Sequence, residues 1–315
     1  MQNRVLRVFL MSFFSVTLAF GVRSQAQETT WLPEAGHTTM QIWPSAAPDP
    51  VPTTGPEVLA WTPKDQPIAG RPVGLLHNVT VPTITVYSPK GKNTGVGVVV
   101  FPGGGYNILA IDLEGTEVCD WLNSAGITCV LLKYRVPNTG PYPKSPAALE
   151  DAQRAVGLVR EHAVEWQIDP AHIGVLGFSA GAHLAVALST HYDKRLYAAV
   201  DAADQLSCRP DFAVVVYPGY LADASSSFLD KLDIHPTDKT PPAFIVQAEN
   251  DPVHVENATT YFLALKAVKV PAELHIYSEG GHGYGLRRTA LPITTWPQAV
   301  EVWLHTIHVL PSAGS

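Results

Sequence analysis

The sequence predicts an α/β protein with a mainly parallel central sheet and helices on both of its faces. Three observations predict it. Short, continuously apolar runs at residues 96–101 and 127–132 read as strands buried on both sides, as parallel strands are. Segments with helical spacing separate such runs, so strands alternate with helices along the chain. Near the middle, Ile173-Gly174-Val175-Leu176-Gly177-Phe178-Ser179-Ala180-Gly181-Ala182-His183-Leu184 reads as a buried strand, a sharp turn at Ser179 and a helix.

Taken in order, the chain starts with a leader. Arg4 and Arg7 precede an apolar run over 8–22, and Ser24-Gln25-Ala26 places small residues at the two positions a signal peptidase reads. Residues 1–26 are therefore expected to be a cleaved signal peptide and the protein to be secreted or periplasmic. The run is short for a membrane span, so no stable membrane anchor is expected. Residues 27–75, rich in Pro, Thr and Trp and weak in periodicity, read as an extended arm over the domain. Residues 76–310 form one domain. Within it 83–87 alternates like a half-exposed strand, and 116–124 reads as a helix burying Val118, Cys119 and Leu122. A long helix over 147–166 buries Ala148, Ala152, Ala155, Val156 and Val159. Further strands fall at 212–217, 243–247 and 273–277, with helices at 257–268 and 296–307. No internal repeat interrupts this order.

Composition fits: 46% hydrophobic and 16% charged residues suit one large core. Cleavage after Ala26 removes Arg4, Arg7 and Arg23 and no acid, taking the net charge from -7 to about -10. That balance excludes nucleic acid and anionic membrane as natural partners. Cys119, Cys129 and Cys208 show no metal spacing and read first as small buried hydrophobes, with a Cys119–Cys129 bridge left open. Sequons at Asn78 and Asn257 read as incidental.

The residues that could do chemistry lie just past strand ends. The stretch Gly177-Phe178-Ser179-Ala180-Gly181 fits G-x-S-x-G, which lifts a serine onto a strained bend above the sheet. The small residues let strand and helix approach closely, and the Ala180 N–H at the helix start can face a developing oxyanion. A serine hydroxyl needs a base, and the base needs a third group to hold it. Asp251 follows the strand at 243–247, and His282 follows the last strand in Gly280-Gly281-His282-Gly283. Glu249 and His254 are the nearest rivals, and His183, on the helix after Ser179, reads as structural. Pro102-Gly103-Gly104-Gly105-Tyr106 follows an early buried strand and offers free backbone N–H groups; no Lys-Ser/Thr follows, which argues against a phosphate loop. Asp112 and Glu114 beyond it read as helix caps and dipole partners. Tyr106, Tyr217, Tyr220 and Tyr284 sit at strand ends, where they could form a sugar-stacking rim or pack.

These motifs, with Leu132-Lys133-Tyr134-Arg135, Asp151-Ala152-Gln153-Arg154-Ala155 and Asp251-Pro252-Val253, resemble the α/β-hydrolase superfamily over residues 76–310. More narrowly the chain resembles bacterial secreted esterases of the acetylxylan/feruloyl esterase-like group, related to the hormone-sensitive-lipase-like and dienelactone-hydrolase-like branches. Where lipase-like relatives carry His before the glycines, this chain has Pro102. The resemblance implies a Ser179–His282–Asp251 triad and an oxyanion hole of Gly104, Gly105 and the Ala180 N–H, with Tyr106, Tyr217 and Tyr284 at strand ends as the substrate-contact candidates. Whether Gly104, Gly105 or Tyr106 gives the first N–H stays open at this point. It implies hydrolysis of short-acyl or carbohydrate esters with no metal or other cofactor. Feruloyl esterase, prolyl-oligopeptidase-type peptidase and a non-catalytic binding protein on the same scaffold are the alternatives. The oligomeric state is left open. The short segment 219–240 leaves little sequence for a lid, so an open site is expected.

Overall fold

The computed structural model describes residues 30–53, 55–222 and 234–311. The leader expected over 1–26 lies outside the described residues, as does half of the segment 219–240, where a lid would sit. No helix among the described residues is long and apolar enough to cross a membrane.

The expected alternation is present, preceded by strands that the sequence did not announce. In chain order these are β1 (Thr38–Gln41), β2 (Val58–Trp61) and β3 (Gly74–His77), and β4 (Thr83–Tyr87) is the strand expected at 83–87. They are followed by β5 (Gly97–Phe101), β6 (Leu109–Ala110), α1 (Glu117–Ser124), β7 (Thr128–Lys133) and α2 (Ala147–Glu161). The chain continues with β8 (Ile173–Phe178), α3 (Ala180–Thr190), β9 (Ala213–Val216) and β10 (Ala243–Ala248). It closes with α4 (Glu256–Ala267), β11 (Ala272–Tyr277) and α5 (Trp296–Thr306).

Eight strands form one sheet in the order β1-β4-β7-β5-β8-β9-β10-β11. From β7 to β11 all pairings are parallel; β1 and β4 are antiparallel. The central strands β5, β7, β8, β9 and β10 are buried at every position, which is why their apolar runs are unbroken. Because those strands are parallel, the loops after β5, β8, β9, β10 and β11 open at one end of the sheet, where open α/β sheets place ligands.

The segment read as an arm is stitched into the fold. β1 extends the main sheet, and β2, β3 and β6 form a second, three-stranded sheet. Trp43 Nε1–H donates to Asp151 at 2.7 Å, and Arg154 Nε–H donates to the Ile42 carbonyl at 2.8 Å. β1 and β2 have four residues each and no fully buried position, too short and too exposed to show a period. The residues of the Leu132–Arg135 and Asp151–Ala155 motifs are structural in this setting. Arg135, buried on all sides, donates from Nε to both Asp151 oxygens at 3.0 Å and from its terminal nitrogen to Glu150 at 2.9 Å.

One sequence expectation is corrected. Cys119 on α1 and Cys129 on β7 are joined by a disulfide, whereas both had been read first as small hydrophobes; Cys208 is buried and free. Asn257 is buried and its amide holds the loops beside it, donating to the Val253 and His254 carbonyls and accepting from the Leu221 and Ala222 N–H groups. That sequon presents no accessible amide.

Candidate active site

The site begins with the turn between β8 and α3. Ser179 has φ 52° and ψ −116°, a conformation rarely adopted by a residue with a side chain. The turn is this sharp because the backbones touch. A Cβ on Gly177 would lie 2.0 Å from the Gly181 carbonyl oxygen, and one on Gly181 would lie 2.1 Å from the Phe101 carbonyl oxygen. No side chain fits at either position, so both must be glycine. The Ser179 N–H is held by the Val216 carbonyl at 3.0 Å, which ties the bend to β9.

His282 Nε2 lies 2.9 Å from Ser179 Oγ. Its Nδ1 lies 2.9 and 3.0 Å from the two oxygens of Asp251, whose carboxylate is fully buried. Asp251 also accepts from Gln247 Nε2 at 2.9 Å and from the Val253 N–H at 2.7 Å. Every other neighbour of the carboxylate is thus a donor, so the proton between Asp251 and His282 belongs on Nδ1. Nε2 is left with a lone pair facing the serine hydroxyl. Asn250 Oδ1 accepts from the Gly280 and Gly281 N–H groups at 3.1 and 2.9 Å, binding the acid's loop to the histidine's. Glu249, the rival acid, is exposed. The imidazole beside Ser179 is that of His282 rather than His254. His183 is buried, and burial pushes its pKa down to about 3, so it stays neutral; its Nδ1 shares a hydrogen bond of 2.8 Å with the Tyr106 hydroxyl.

The loop after β5 is fixed through its carbonyls. Tyr134 O–H donates to the Pro102 oxygen at 2.6 Å, and the Ala110 N–H to the Gly103 oxygen at 3.0 Å. The Asn107 and Ile108 N–H groups donate to the Gly104 oxygen, and the Asn138 N–H to the Tyr106 oxygen. The Gly103 N–H is committed to Glu114 at 2.6 Å. Among the described residues the N–H groups of Gly104, Gly105 and Ala180 have no such acceptor, and Gly104 and Gly105 line the recess that contains Ser179 and His282. Donors already aimed and held need no reorganisation when charge develops, and the N-terminus of α3 adds its dipole.

Glu114 is a correction. Read from sequence as a cap, it is buried in a π-helical turn over Asp112–Thr116. It accepts from the Gly103 N–H and from Tyr217 O–H at 2.8 Å. Burial pushes its carboxyl up from the usual range, opposed by those two hydrogen bonds and by His282. Asp112 accepts from the Gly74 and Leu113 N–H groups and pairs with Arg287.

The tyrosine rim is also corrected. Tyr106, Tyr217 and Tyr284 are only 2%, 0% and 6% exposed, so none offers a ring face to a sugar. They pack: Tyr217 meets the rings of His282 at 4.9 Å and Tyr284 at 4.5 Å, and Tyr106 meets His183 at 5.8 Å. Tyr220, 49% exposed and 6.0 Å from the Tyr106 ring, is the tyrosine that faces out.

What sequence reasoning missed is the wall of the site. A recess of about 310 Å³ contains Ser179, His282, Gly104 and Gly105, and its far side is apolar: Ile68, Val73, Leu75, Ala110 and Leu113. Ile68, Val73 and Leu75 come from the segment read as an arm, on and beside β3. No periodic signal marks them. Gln247 could have been found, since it is a polar residue inside an otherwise apolar strand.

A mainly parallel sheet, with a serine on a strained strand-to-helix turn and an aspartate and histidine after the two last strands, defines the α/β-hydrolase class. The family model described as BD-FAE matches residues 84–217. An acetyl ester-xyloside bifunctional hydrolase from Caldicellulosiruptor lactoaceticus shares 38% identity, over 73% of this chain and 89% of its own, with a TM-score of 0.65. The chain belongs to the α/β-hydrolase superfamily, in its carboxylesterase group. It is also 31% identical to an acetylxylan esterase of Xylanibacter ruminicola, over 61% of this chain and 42% of that protein. An endo-1,4-beta-xylanase B of Butyrivibrio fibrisolvens is 31% identical over 59% of this chain and 32% of its own. The chain thus spans less than half the length of these two curated relatives.

Proposed function

We propose that this protein is an exported serine carboxylesterase that removes short acyl groups, acetyl above all, from carbohydrate such as xylan fragments. The observation that carries the reading is the unbroken hydrogen-bonded row from Asp251 through His282 to Ser179 beside an apolar recess. Ser179 Oγ attacks the ester carbonyl carbon while its proton passes to His282 Nε2. The carbonyl oxygen becomes an oxyanion against the N–H groups of Ala180 and the Gly104–Gly105 loop. Asp251 stabilises the charged imidazole. His282 then gives the proton to the departing alcohol oxygen as the tetrahedral intermediate collapses to an acyl-enzyme. Water, deprotonated by the same nitrogen, releases the acid and restores Ser179. The names of the xylan-acting relatives support the carbohydrate half of the reading.

The recess has to receive the acyl group and the near end of the alcohol together. Each methylene added to the acyl chain contributes about 0.8 kcal/mol only while apolar wall remains to cover it. On p-nitrophenyl esters kcat/KM is expected to peak between acetate and butyrate and to fall steeply by octanoate. Leu75→Trp, which fills the recess from β3, is expected to move that optimum to acetate. An optimum at octanoate, or activation at an oil–water interface, would move the protein to the lipases. The volume of the recess favours one second reading, an aromatic acyl group, and methyl ferulate turned over faster than any acetate ester would establish it.

The leader and the disulfide, a bond that persists in oxidising compartments, support the export part of this reading. The exported protein is expected to begin near Gln27 when its N-terminus is sequenced. Exported material beginning at Met1 would remove this part of the proposal.

A further inference from the structure

Glu114 is a buried carboxylate that the chemistry above does not use. Among the described residues no lysine or arginine pairs with it. A carboxylate kept from water without a cation persists only where neutral donors hold it. One donor belongs to the oxyanion loop; the other, Tyr217, follows β9 and packs against the His282 loop. On one side is the Gly103 N–H, 2.6 Å from Oε2. A Cβ on Gly103 would lie 2.6 Å from that same oxygen, 2.6 Å from the Phe178 carbonyl and 2.9 Å from Ser179 Cβ, so this strand of the oxyanion loop is pressed against the nucleophile without slack. On the other side is Tyr217 O–H, 2.8 Å from Oε1. The Tyr217 oxygen accepts the Gly285 N–H at 3.2 Å, and its ring packs edge-on against His282. Gly285 is anchored in turn, its carbonyl accepting from Trp296 Nε1 at 2.9 Å.

We propose that Glu114 is a positioning residue that sets the distance between the oxyanion loop and the His282 loop, acting through Gly103 and Tyr217. The proposal rests on the esterase reading and deepens it. Glu114 lines the same recess as Ser179 and His282, but its hydrogen bonds go to Gly103 and Tyr217. It orients the Gly103 peptide, so that the next N–H groups face the recess, and fixes the tyrosine against which the imidazole rests. Such an effect appears in the transition state, where the oxyanion and the charged imidazole exist together, and leaves ground-state binding nearly unchanged.

The test uses Glu114→Ala, Glu114→Gln and Tyr217→Phe in the full-length mature protein. Glutamine keeps one acceptor: with its oxygen at Gly103, its amide nitrogen faces Tyr217, whose own proton then has no acceptor. Kcat on p-nitrophenyl acetate is expected to fall about 10²-fold in Glu114→Ala, the scale of a lost oxyanion donor, and about 10-fold in Glu114→Gln and in Tyr217→Phe. KM should stay within about threefold, and inhibition by a trifluoromethyl ketone, which forms a tetrahedral adduct, should weaken in step with kcat/KM. Glutamine recovering part of the alanine loss, with KM still unchanged, is the signature of positioning. Should Glu114→Ala fail to fold, the other two variants carry the test, since each removes almost no volume: Glu114→Gln loses the bond from Tyr217, and Tyr217→Phe loses that bond and the one from Gly285. An active wild type whose Glu114→Gln and Tyr217→Phe variants keep kcat within twofold, or lose activity through KM alone, overturns the positioning role and leaves the esterase reading standing. A wild type that hydrolyses none of the esters overturns both.

Discussion

Replacing Ser179 by alanine is expected to leave a folded protein whose kcat on p-nitrophenyl acetate is at least ~10³-fold lower. The substitution removes one oxygen whose hydrogen bond is to His282, and the backbone that holds the bend, from Val216 and from the Gly177–Gly181 approach, is untouched. The melting temperature should therefore stay close to that of the wild type while the covalent route disappears. What remains is catalysis by the aimed N–H groups of the oxyanion loop acting on water, which is slow without a nucleophile. Labelling by a fluorophosphonate probe should vanish in parallel. An alanine variant with near-wild-type turnover would remove Ser179, and the triad with it, from the mechanism.

The second large effect is expected at Asp251. Asparagine has the same shape, so Asp251→Asn should fold, yet kcat should fall about 10³- to 10⁴-fold with little change in KM. The carboxylate is fully buried and takes donors from Gln247, Val253 and His282. An amide supplies one oxygen where the carboxylate supplied two, and its nitrogen competes for the side of His282 that must carry the proton. If His282 takes the other tautomer, Nε2 bears the hydrogen and can no longer receive the serine's proton. Even in the working tautomer the neutral amide does not stabilise the charged imidazole. Turnover within tenfold of wild type would mean that another acid does this work, and the exposed Glu249 would be the first to test.

Physical range explains which of these features could be read from sequence. The elbow was legible because it is local: an apolar strand, two glycines at fixed offsets and a helix follow one another without interruption from Ile173 to Thr190. The parallel strands were legible because burial on both faces leaves an apolar run that needs no partner to be recognised. The order Ser179, Asp251, His282 came from where strands end. By contrast, β1 to β3 escaped notice because four residues are too few to establish a period, and β1 and β2 have no fully buried position to mark them. Glu114 was misread because an acid near a helix start is ordinarily a cap, and only the fold shows that its carboxylate faces inward.

By itself, then, the sequence determined the alternation of strands and helices, the strained bend at Ser179 and the strand ends that carry an acid and a histidine. All of these follow from contacts within a few residues or from burial that repeats along an element. The tertiary structure alone decided which distant groups meet. It put Tyr217 against Glu114, 103 residues away, turned Tyr106 and Tyr284 inward and joined Cys119 to Cys129. It also brought Ile68, Val73 and Leu75 round to wall the recess at Ser179. A side chain's partner across such separations depends on how the layers pack, and no pattern along the chain records that.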